Sequence, residues 1–321
     1  MNDKTMNSQN AELFRFIDRD EIASEKITAP RYSYWRSVFR VFFRKKSNIV
    51  MIALLVIIVL SSFILPQFWV YDPYENTLDA GTYNLSPGKA IAYFGDNPIK
   101  WCLGTGQLGN SIMYGIFASA KTSLLLAVTC AAINMSIGIV IGAIWGYSKR
   151  FDAVMLVIYN IVANVPYILL ISVLVYVIGS GFWPFVFALT VTGWLGIAYF
   201  FRTQVMIIRD REYSLASRCL GTPLNRVISK NILPFLTSVI VTLLATELPS
   251  YISMEVFLSF IGVGLSASVP SLGRMIQQGQ TAFLTYPWAF WPPVAIASAI
   301  TIILYLLGQN LADASDPRTH M

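Results

Sequence analysis

The stretch REYSLASRCLGTPLNRVISKNILP, residues 211–234, is charged and helix-like, yet it lies between two runs apolar enough to cross a membrane. Leu215 and Leu220 belong to an apolar set at helical spacing. Gly221 and Pro223 then favour the end of one helix and the start of the next. The stretch therefore predicts two short amphipathic helices outside the bilayer, a form typical of a surface that fits another protein's groove.

The composition of the rest of the chain indicates a membrane protein. Of 321 residues, 55% are hydrophobic and only 12% are charged, whereas a soluble domain carries roughly 25% charged residues. The net charge of +6 does not indicate nucleic acid as a partner, because the basic residues flank apolar runs and form no separate basic domain.

Six apolar segments predict an all-α polytopic membrane protein, since continuous runs of this length span lipid as helices. The predicted spans are 48–65, 123–147, 153–178, 182–201, 235–261 and 290–307. The predicted organisation is an N-terminal arm over 1–47, an external loop over 66–122, a core over 123–310 that includes the loop 202–234, and a tail over 311–321.

The distribution of Lys and Arg predicts the orientation. Of the 23 basic residues, 19 lie in the arm, the 149–150 turn, the 202–234 loop and the tail. The other four are Lys89, Lys100, Lys121 and Arg274. Because basic segments stay in the cytoplasm, both termini and the 202–234 loop are predicted to be cytoplasmic.

Within the arm, the segment YSYWRSVFRVFFRKKS, residues 32–47, places Arg36, Arg40 and Arg44 at four-residue intervals. Aromatic residues occupy other positions around the turn, as in a basic amphipathic helix that lies on the inner leaflet. Interfacial anchoring and docking of a partner protein remain alternative roles for this helix.

The second span carries a glycine face. Gly138, Gly142 and Gly146 recur every four residues, and such a face lets another helix approach closely within lipid. The neighbour could be a helix of this chain or of a partner subunit.

Five residues within the third and fifth spans could contribute to a pathway: Asn160, Asn164, Pro166, Glu247 and Glu255. Polar groups at such depth face a bundle interior or a wet path, and a proline can kink the helix. Glu255 is expected near the outer end of its span, where exposure costs little. Glu247 lies deeper and is the stronger pathway candidate. Proton relay is disfavoured because no intramembrane basic partner stands out.

Sequence motifs for chemistry are missing. The chain has no phosphate-binding loop, no HExxH and no GxSxG motif, and its cysteines fit no zinc or CxxC spacing. We therefore expect no catalytic residue and no metal or cofactor bound by this chain.

The opening stretch resembles the EAA loop of ABC importer permeases, in which Glu-Ala-Ala precedes a glycine and a later Ile-Leu-Pro. Ala216 and Gly221 match the first alanine and the glycine, and residues 232–234 match the close. The chain departs from the pattern at two positions: Leu215 replaces the motif glutamate and Ser217 replaces the second alanine.

Other segments carry the resemblance over about residues 31–321. They are similar to motifs of the oligopeptide/dipeptide permeases, and closest to the second permease subunit of Gram-positive oligopeptide importers. The matching segments are LGTGQLGNSIMYG (103–115), MEVFLSFIGVGL (254–265), VPSLGRMI (269–276) and GQNLADASDPRT (308–319).

The resemblance implies a MetI-like permease fold in a bacterial plasma membrane and a five-part importer. The implied partners are a sister permease, two cytoplasmic ATPases that hold ATP and Mg²⁺, and a lipid-anchored external peptide-binding protein. The residues that it assigns to ATPase coupling are Arg211, Glu212, Leu215, Ala216, Arg218, Gly221, Pro223 and Pro234.

Several alternatives stay open. Dipeptides or nickel chelates are the alternative cargo. A secondary transporter that works without ATPases is a different class, favoured by Pro166 and Glu247 but not by the projecting 211–234 loop. An intramembrane enzyme would need a catalytic constellation that the sequence does not offer.

Overall fold

The computed structural model describes residues 34–95 and 97–315. The chain divides into two units, Met1–Ser37 and Val38–Met321, and only residues 34–37 of the first are described. In the described ranges the secondary structure is helical apart from one isolated bridge between Thr105 and Ser111. The predicted all-α multi-span fold is thus confirmed.

The main helices are α1 (Tyr34–Arg44), α2 (Lys46–Phe68), α3 (Pro87–Phe94), α4 (Ile112–Tyr147), α5 (Lys149–Ala163), α6 (Tyr167–Ile178), α7 (Phe182–Thr190), α8 (Trp194–Arg209), α9 (Glu212–Cys219), α10 (Leu224–Arg226), α11 (Thr237–Phe260), α12 (Leu272–Gln280) and α13 (Pro287–Ser315).

Among the described residues, five helical segments are long and apolar enough to cross a membrane. They are α2, α4, α7 with α8, α10 with α11, and α13. The pair α5 and α6 makes a sixth span if the two are counted together. With that pair counted as one span, the number of spans agrees with the six apolar segments. Each segment is helical because a helix hydrogen-bonds its own backbone within lipid.

The prediction that the third span, 153–178, is one continuous helix is wrong. It is broken between α5 and α6, which meet at 78°. Pro166 stands at the break as the residue before α6. Proline has no N–H and disfavours helical geometry in the residue before it, here Val165, so the chain turns sharply instead of kinking.

The helix of the predicted second span starts before residue 123. Helix α4 begins at Ile112, where the Ser111 hydroxyl accepts a hydrogen bond from the Tyr114 N–H at 3.3 Å. Its first turns pack against Met275 and Ala289. Tertiary packing therefore extends the helix beyond the length that lipid requires.

Two further boundaries differ. Helix α8 continues to Arg209, past the predicted end at 201, and α13 runs from Pro287 to Ser315, past the predicted 290–307. Residues 311–315 of the predicted tail are therefore helical, and 316–321 lie outside the described residues. Each helix continues beyond its apolar section, and hydropathy detects only that section.

Helix α4 lies at the centre of the bundle, packed by α8, α11 and α2. Fully buried core side chains come from α4, α7 and α11, among them Leu126, Phe185 and Ile252. A second cluster packs Ile197 and Phe201 of α8 against α4, and the 211–234 loop connects α8 to α11.

The start of α2 is joined to the end of α13. Asn48 donates a hydrogen bond to the Phe42 carbonyl at 2.8 Å, and Asn310 donates to Asn48 Oδ1 at 2.9 Å. The start of α2 and the end of α13 therefore lie at one end of the bundle. In α1, Phe42 is buried and Arg40 is exposed, so the helix has two faces. Its contact with a membrane surface stays a prediction.

Candidate functional site

The 211–234 segment forms a projecting helix, α9, and a second part that merges with a span. Helix α9 ends at Gly221, whose φ is +72°. The Thr222 N–H reaches back to the Ser217 carbonyl at 3.1 Å. A left-handed residue closes this turn, so the glycine is needed for its backbone conformation. A Cβ at Gly221 would meet no atom within 4 Å.

The second part is not the separate amphipathic helix that the sequence predicted. Pro223 precedes α10, which continues through a π-helical stretch, Val227–Ile232, and a 3₁₀ turn, Leu233–Leu236, into α11. Val227 and Ile232 are fully buried in a core cluster. This part therefore anchors α9 to the bundle, and Pro234 lies in the turn that leads into the span.

One face of α9 packs on this anchor. Ser214 is fully buried. Asn231 donates a hydrogen bond to Ser217 Oγ at 2.7 Å, and the rings of Tyr213 and Phe235 lie 5.1 Å apart. These contacts fix the direction in which the opposite face of α9 points.

The opposite face of α9 is apolar and exposed. Leu215 is 44% exposed and Leu220 is 85% exposed. Ala216 lies between them, and the charged Arg211 and Glu212 are exposed beside them. An exposed apolar patch with a charged rim is typical of a protein contact surface.

Arg218 differs from its neighbours. Its guanidinium carbon lies 5.5 Å from the centroid of the Tyr147 ring, at the end of α4. A cation at this distance from an aromatic face is attracted to it. Arg218 thus connects α9 to α4 directly.

A charged network that the sequence analysis missed supports this end of the bundle. Arg202 of α8 binds the Asp152 carboxylate of α5 with two N–H groups, one at 2.9 Å. Trp145 of α4 donates to the same carboxylate at 2.7 Å. The network joins three helices. Arg202 and Arg209, two turns apart on α8, were its only sequence signal.

Arg209 extends the network toward α9. It donates to the Gly146 carbonyl at 2.9 Å and to the Asp210 carboxylate at 3.0 Å. The guanidinium lowers the pKa of the Asp210 carboxyl below its ordinary value. The residues just before α9 are therefore held by charge-assisted hydrogen bonds.

The glycine face of α4 packs against α8 of the same chain. A Cβ at Gly142 would lie 2.6 Å from the Ala198 carbonyl oxygen, and Gly138 and Gly146 are similarly crowded by α8. Of the two neighbours that the sequence left open, the structure shows the one within the chain.

The polar residues of the broken span do not face the bundle core. Asn160, Asn164 and Pro166 are all exposed in this chain. Asn164 donates a side-chain hydrogen bond to the Asn160 carbonyl, so it caps the end of its own helix. The break therefore leaves these residues on a surface that no helix of the described ranges covers.

Glu255 was expected near the outer end of its span, where exposure would cost little, but its side chain is fully buried. Ser123 of α4 and Ser259 of α11 each donate to the carboxylate at 3.0 Å, and Ser271 and Gly273 lie beside it. Burial is tolerable because each carboxylate oxygen accepts a hydrogen bond. Glu255 thus joins two spans to the start of α12.

Glu247, by contrast, is half-buried beside a small pocket at the surface of α11. The Tyr251 hydroxyl lies beside it. The two carboxylates of α11 therefore occupy different environments, and the structure does not bring them together.

This geometry defines a polytopic membrane protein with a rigidly seated amphipathic helix outside its bundle. The chain belongs to the family described as the inner membrane component of binding-protein-dependent transport systems, whose model matches residues 138–321. Residues 33–87 match the N-terminal TM domain of oligopeptide transport permease C. The chain is a transport permease subunit and a multi-pass protein of the bacterial plasma membrane.

Curated relatives agree with this assignment. The oligopeptide transport system permease protein AmiD of Streptococcus pneumoniae is 45% identical over 98% of this chain and 100% of its own length. The oligopeptide permease OppC of Bacillus subtilis is 32% identical over 92% of this chain and 93% of its own. The dipeptide permease DppC of Bacillus subtilis is 31% identical over 92% of this chain and 89% of its own.

Proposed function

We propose that this chain is one of two permease subunits of an ATP-driven oligopeptide importer. The observation that carries the proposal is the full-length likeness to the oligopeptide permease AmiD, at 45% identity. It is supported by the exposed face of α9, which no other part of this chain's described structure covers. In this function the chain forms half of the path and couples it to ATP hydrolysis.

Coupling runs through α9. The exposed Leu215, Ala216 and Leu220 enter a groove on a cytoplasmic ATPase, with Arg211 and Glu212 at the rim. ATP and Mg²⁺ bind to two such ATPases and not to this chain. Movement of α9 passes to α11 through the anchor at 223–236 and to α4 through Arg218 and Tyr147.

The remaining partners complete the path. A sister permease covers the exposed faces of α11 and of the break between α5 and α6, and peptides cross between the two permeases. A lipid-anchored binding protein delivers peptides to the external side. The 202–234 loop and both termini lie in the cytoplasm, in agreement with the distribution of basic residues.

Reconstitution tests this function. Proteoliposomes that contain this chain, the sister permease, both ATPases and the binding protein are expected to accumulate a labelled oligopeptide only when ATP reaches the ATPases. Liposomes that contain this chain alone are expected to accumulate none. Uptake by this chain alone would contradict the proposal and favour a secondary transporter.

Dipeptides are a second candidate cargo, since the dipeptide permease DppC is 31% identical over 92% of the chain. Competition in the same proteoliposomes separates the two cargoes. Under the oligopeptide proposal, unlabelled oligopeptides compete with the label more strongly than dipeptides do. Stronger competition by dipeptides would shift the assignment to a dipeptide importer.

A further inference from the structure

A small pocket lies beside Glu247, on the surface of α11. Its volume is about 290 Å³, just below the roughly 300–1,000 Å³ of pockets that hold drug-sized ligands. It can therefore hold the end of a peptide but not a whole one. The pocket is lined by Tyr167, Thr192, Gly193, Gly196, Glu247, Ser250, Tyr251 and Met254.

The Glu247 carboxylate forms no ion pair with any of the described residues. The Tyr251 hydroxyl lies beside it, and Asn134 donates to that hydroxyl at 2.6 Å. Tyr167, across the pocket, donates to the Leu189 carbonyl at 2.9 Å. Among the described residues that line the pocket, none is basic. A carboxylate within a span normally pairs with a cation or contacts water.

Aromatic rings accompany the carboxylate in the lining of the pocket. Tyr167 and Tyr251 are both among the residues that form it. Aromatic faces attract cations, and a carboxylate accepts hydrogen bonds. The pocket therefore suits a ligand group that is cationic and rich in donors.

The pocket opens on a polar face of α11. Ser250 lines the pocket and is exposed, and Thr242 and Thr246 continue the same face. All three hydroxyls bond back to carbonyls of their own helix, at 2.7 to 3.3 Å. The exposed side of α2, by contrast, is aliphatic, with residues such as Leu54 and Ile57. The α11 face thus suits a wet path better than lipid.

We propose that this pocket binds the primary ammonium group of a peptide in transit. The inference rests on the proposed function, because the ligand is the importer's cargo. A primary ammonium carries a positive charge, three donors and no acceptor, which matches a carboxylate beside two tyrosine rings. Glu247 supplies the countercharge, and Tyr251 and Asn134 position it. The group comes from the amino terminus or from a lysine side chain.

Uptake by the complete reconstituted importer tests the proposal. Three labelled peptides of one length are used: one with a free amino terminus and no lysine, its N-acetylated form, and an N-acetylated form with one lysine. Glu247→Gln is expected to lower uptake of the free peptide about tenfold, because a neutral amide replaces the carboxylate and the hydrogen bond is no longer between opposite charges. Uptake of the N-acetylated, lysine-free peptide is expected to change little.

The lysine peptide distinguishes the two sources of the ammonium. A loss with Glu247→Gln shows that a side-chain ammonium also binds, and no loss restricts the pocket to the amino terminus. Glu255→Gln is the matched comparator, two turns away on α11, and is expected to change uptake of all three peptides by one common factor. Equal effects of Glu247→Gln on the free and acetylated peptides would overturn the proposal.

Carbodiimide coupling provides a second readout that does not depend on uptake of the acetylated peptides. A hydrophobic carbodiimide joins a carboxylate to a primary amine as an amide and takes up the water that is lost. During turnover, the free peptide is expected to be attached to Glu247, as mass spectrometry of α11 fragments would reveal. Active transport with no attachment at Glu247 overturns this inference alone. A wild-type complex that takes up no peptide overturns the proposed function as well.

Discussion

At the scale of single residues, Gly142 lets the backbones of α4 and α8 approach so closely that no side chain fits between them. Gly142→Leu is expected to lower the thermal unfolding midpoint in detergent, since overpacking a core costs about 1–3 kcal/mol. Gly196→Ala on α8 is the matched control, because a Cβ there would meet no atom within 4 Å. Equal midpoints for Gly142→Leu and the wild type would contradict the packing described for α4.

Glu255 presents a different residue-scale problem, a buried carboxylate that is satisfied by hydroxyls from two helices. Glu255→Leu leaves Ser123 and Ser259 without their acceptor, and an unsatisfied buried group costs about 1–3 kcal/mol. Glu255→Gln keeps one acceptor oxygen, so it is expected to destabilise the protein less. Thermal unfolding of both variants checks this order, and a leucine variant as stable as the glutamine variant would refute it.

The sequence could not predict the burial of Glu255. Its donor Ser123 and its neighbour Ser271 come from distant parts of the chain, and neither carries a local signal for this contact. Glu247, eight residues earlier on the same helix, has the same residue type and a different environment. Helical spacing thus located both carboxylates within a span but not the neighbours that distinguish them.

At the scale of elements, α9 depends on how it ends. Gly221 has a φ of +72°, which proline cannot adopt. Gly221→Pro is expected to redirect α9, so that peptide uptake falls while ATP hydrolysis and copurification of the subunits continue. Gly221→Asn is the control, because asparagine tolerates the left-handed region better than other non-glycine residues.

Arg218→Glu tests the second connection of α9, since it replaces the cation over Tyr147 with an anion. The same separation of ATP hydrolysis from peptide uptake is expected. Proteoliposome uptake and phosphate release are measured side by side for this variant and for Gly221→Pro. Unchanged peptide uptake in both variants would contradict a coupling role for α9.

The pair Arg202 and Asp152 links α8 to α5 at this end of the bundle. A double-mutant cycle with Arg202→Ala and Asp152→Ala is expected to give a coupling free energy of about 0.5–3 kcal/mol. The reason is that the two side chains are in contact and largely shielded from water. Chemical unfolding in detergent measures the four variants. Strictly additive effects would mean that the ion pair does not hold these helices together.

The order of the helices could be predicted from the sequence, but the residues at which they begin and end could not. Each apolar run is helical, the third as the bent pair α5 and α6, since the backbone must be hydrogen-bonded within lipid. The start of α4 at Ile112 depends on Ser111 and on packing against Met275, which hydropathy does not report. The break at Pro166 was predicted only as a kink, because a proline signals a bend without its angle.

At the scale of the whole molecule, the proposed coupling requires that ATPases bind α9 on the side that faces away from the bundle. The sequence located this surface through its resemblance to a family motif, although Leu215 stands where the motif has glutamate. The structure adds the direction of the exposed face. Ser214 and Ser217 belong to the packed side, whereas Ala216 and Leu220 point away from the bundle.

The most direct test is a crosslink from Ala216→Cys or Leu220→Cys, in a protein whose cysteines Cys102, Cys130 and Cys219 are replaced. Tyr176→Cys, a residue 91% exposed on α6, is the matched control. In native membranes, the first two variants are expected to form adducts with an ATP-binding protein whose yield changes with ATP, and the control none. No adduct from either α9 position, in protein that still inserts and still binds its sister permease, would contradict the central claim.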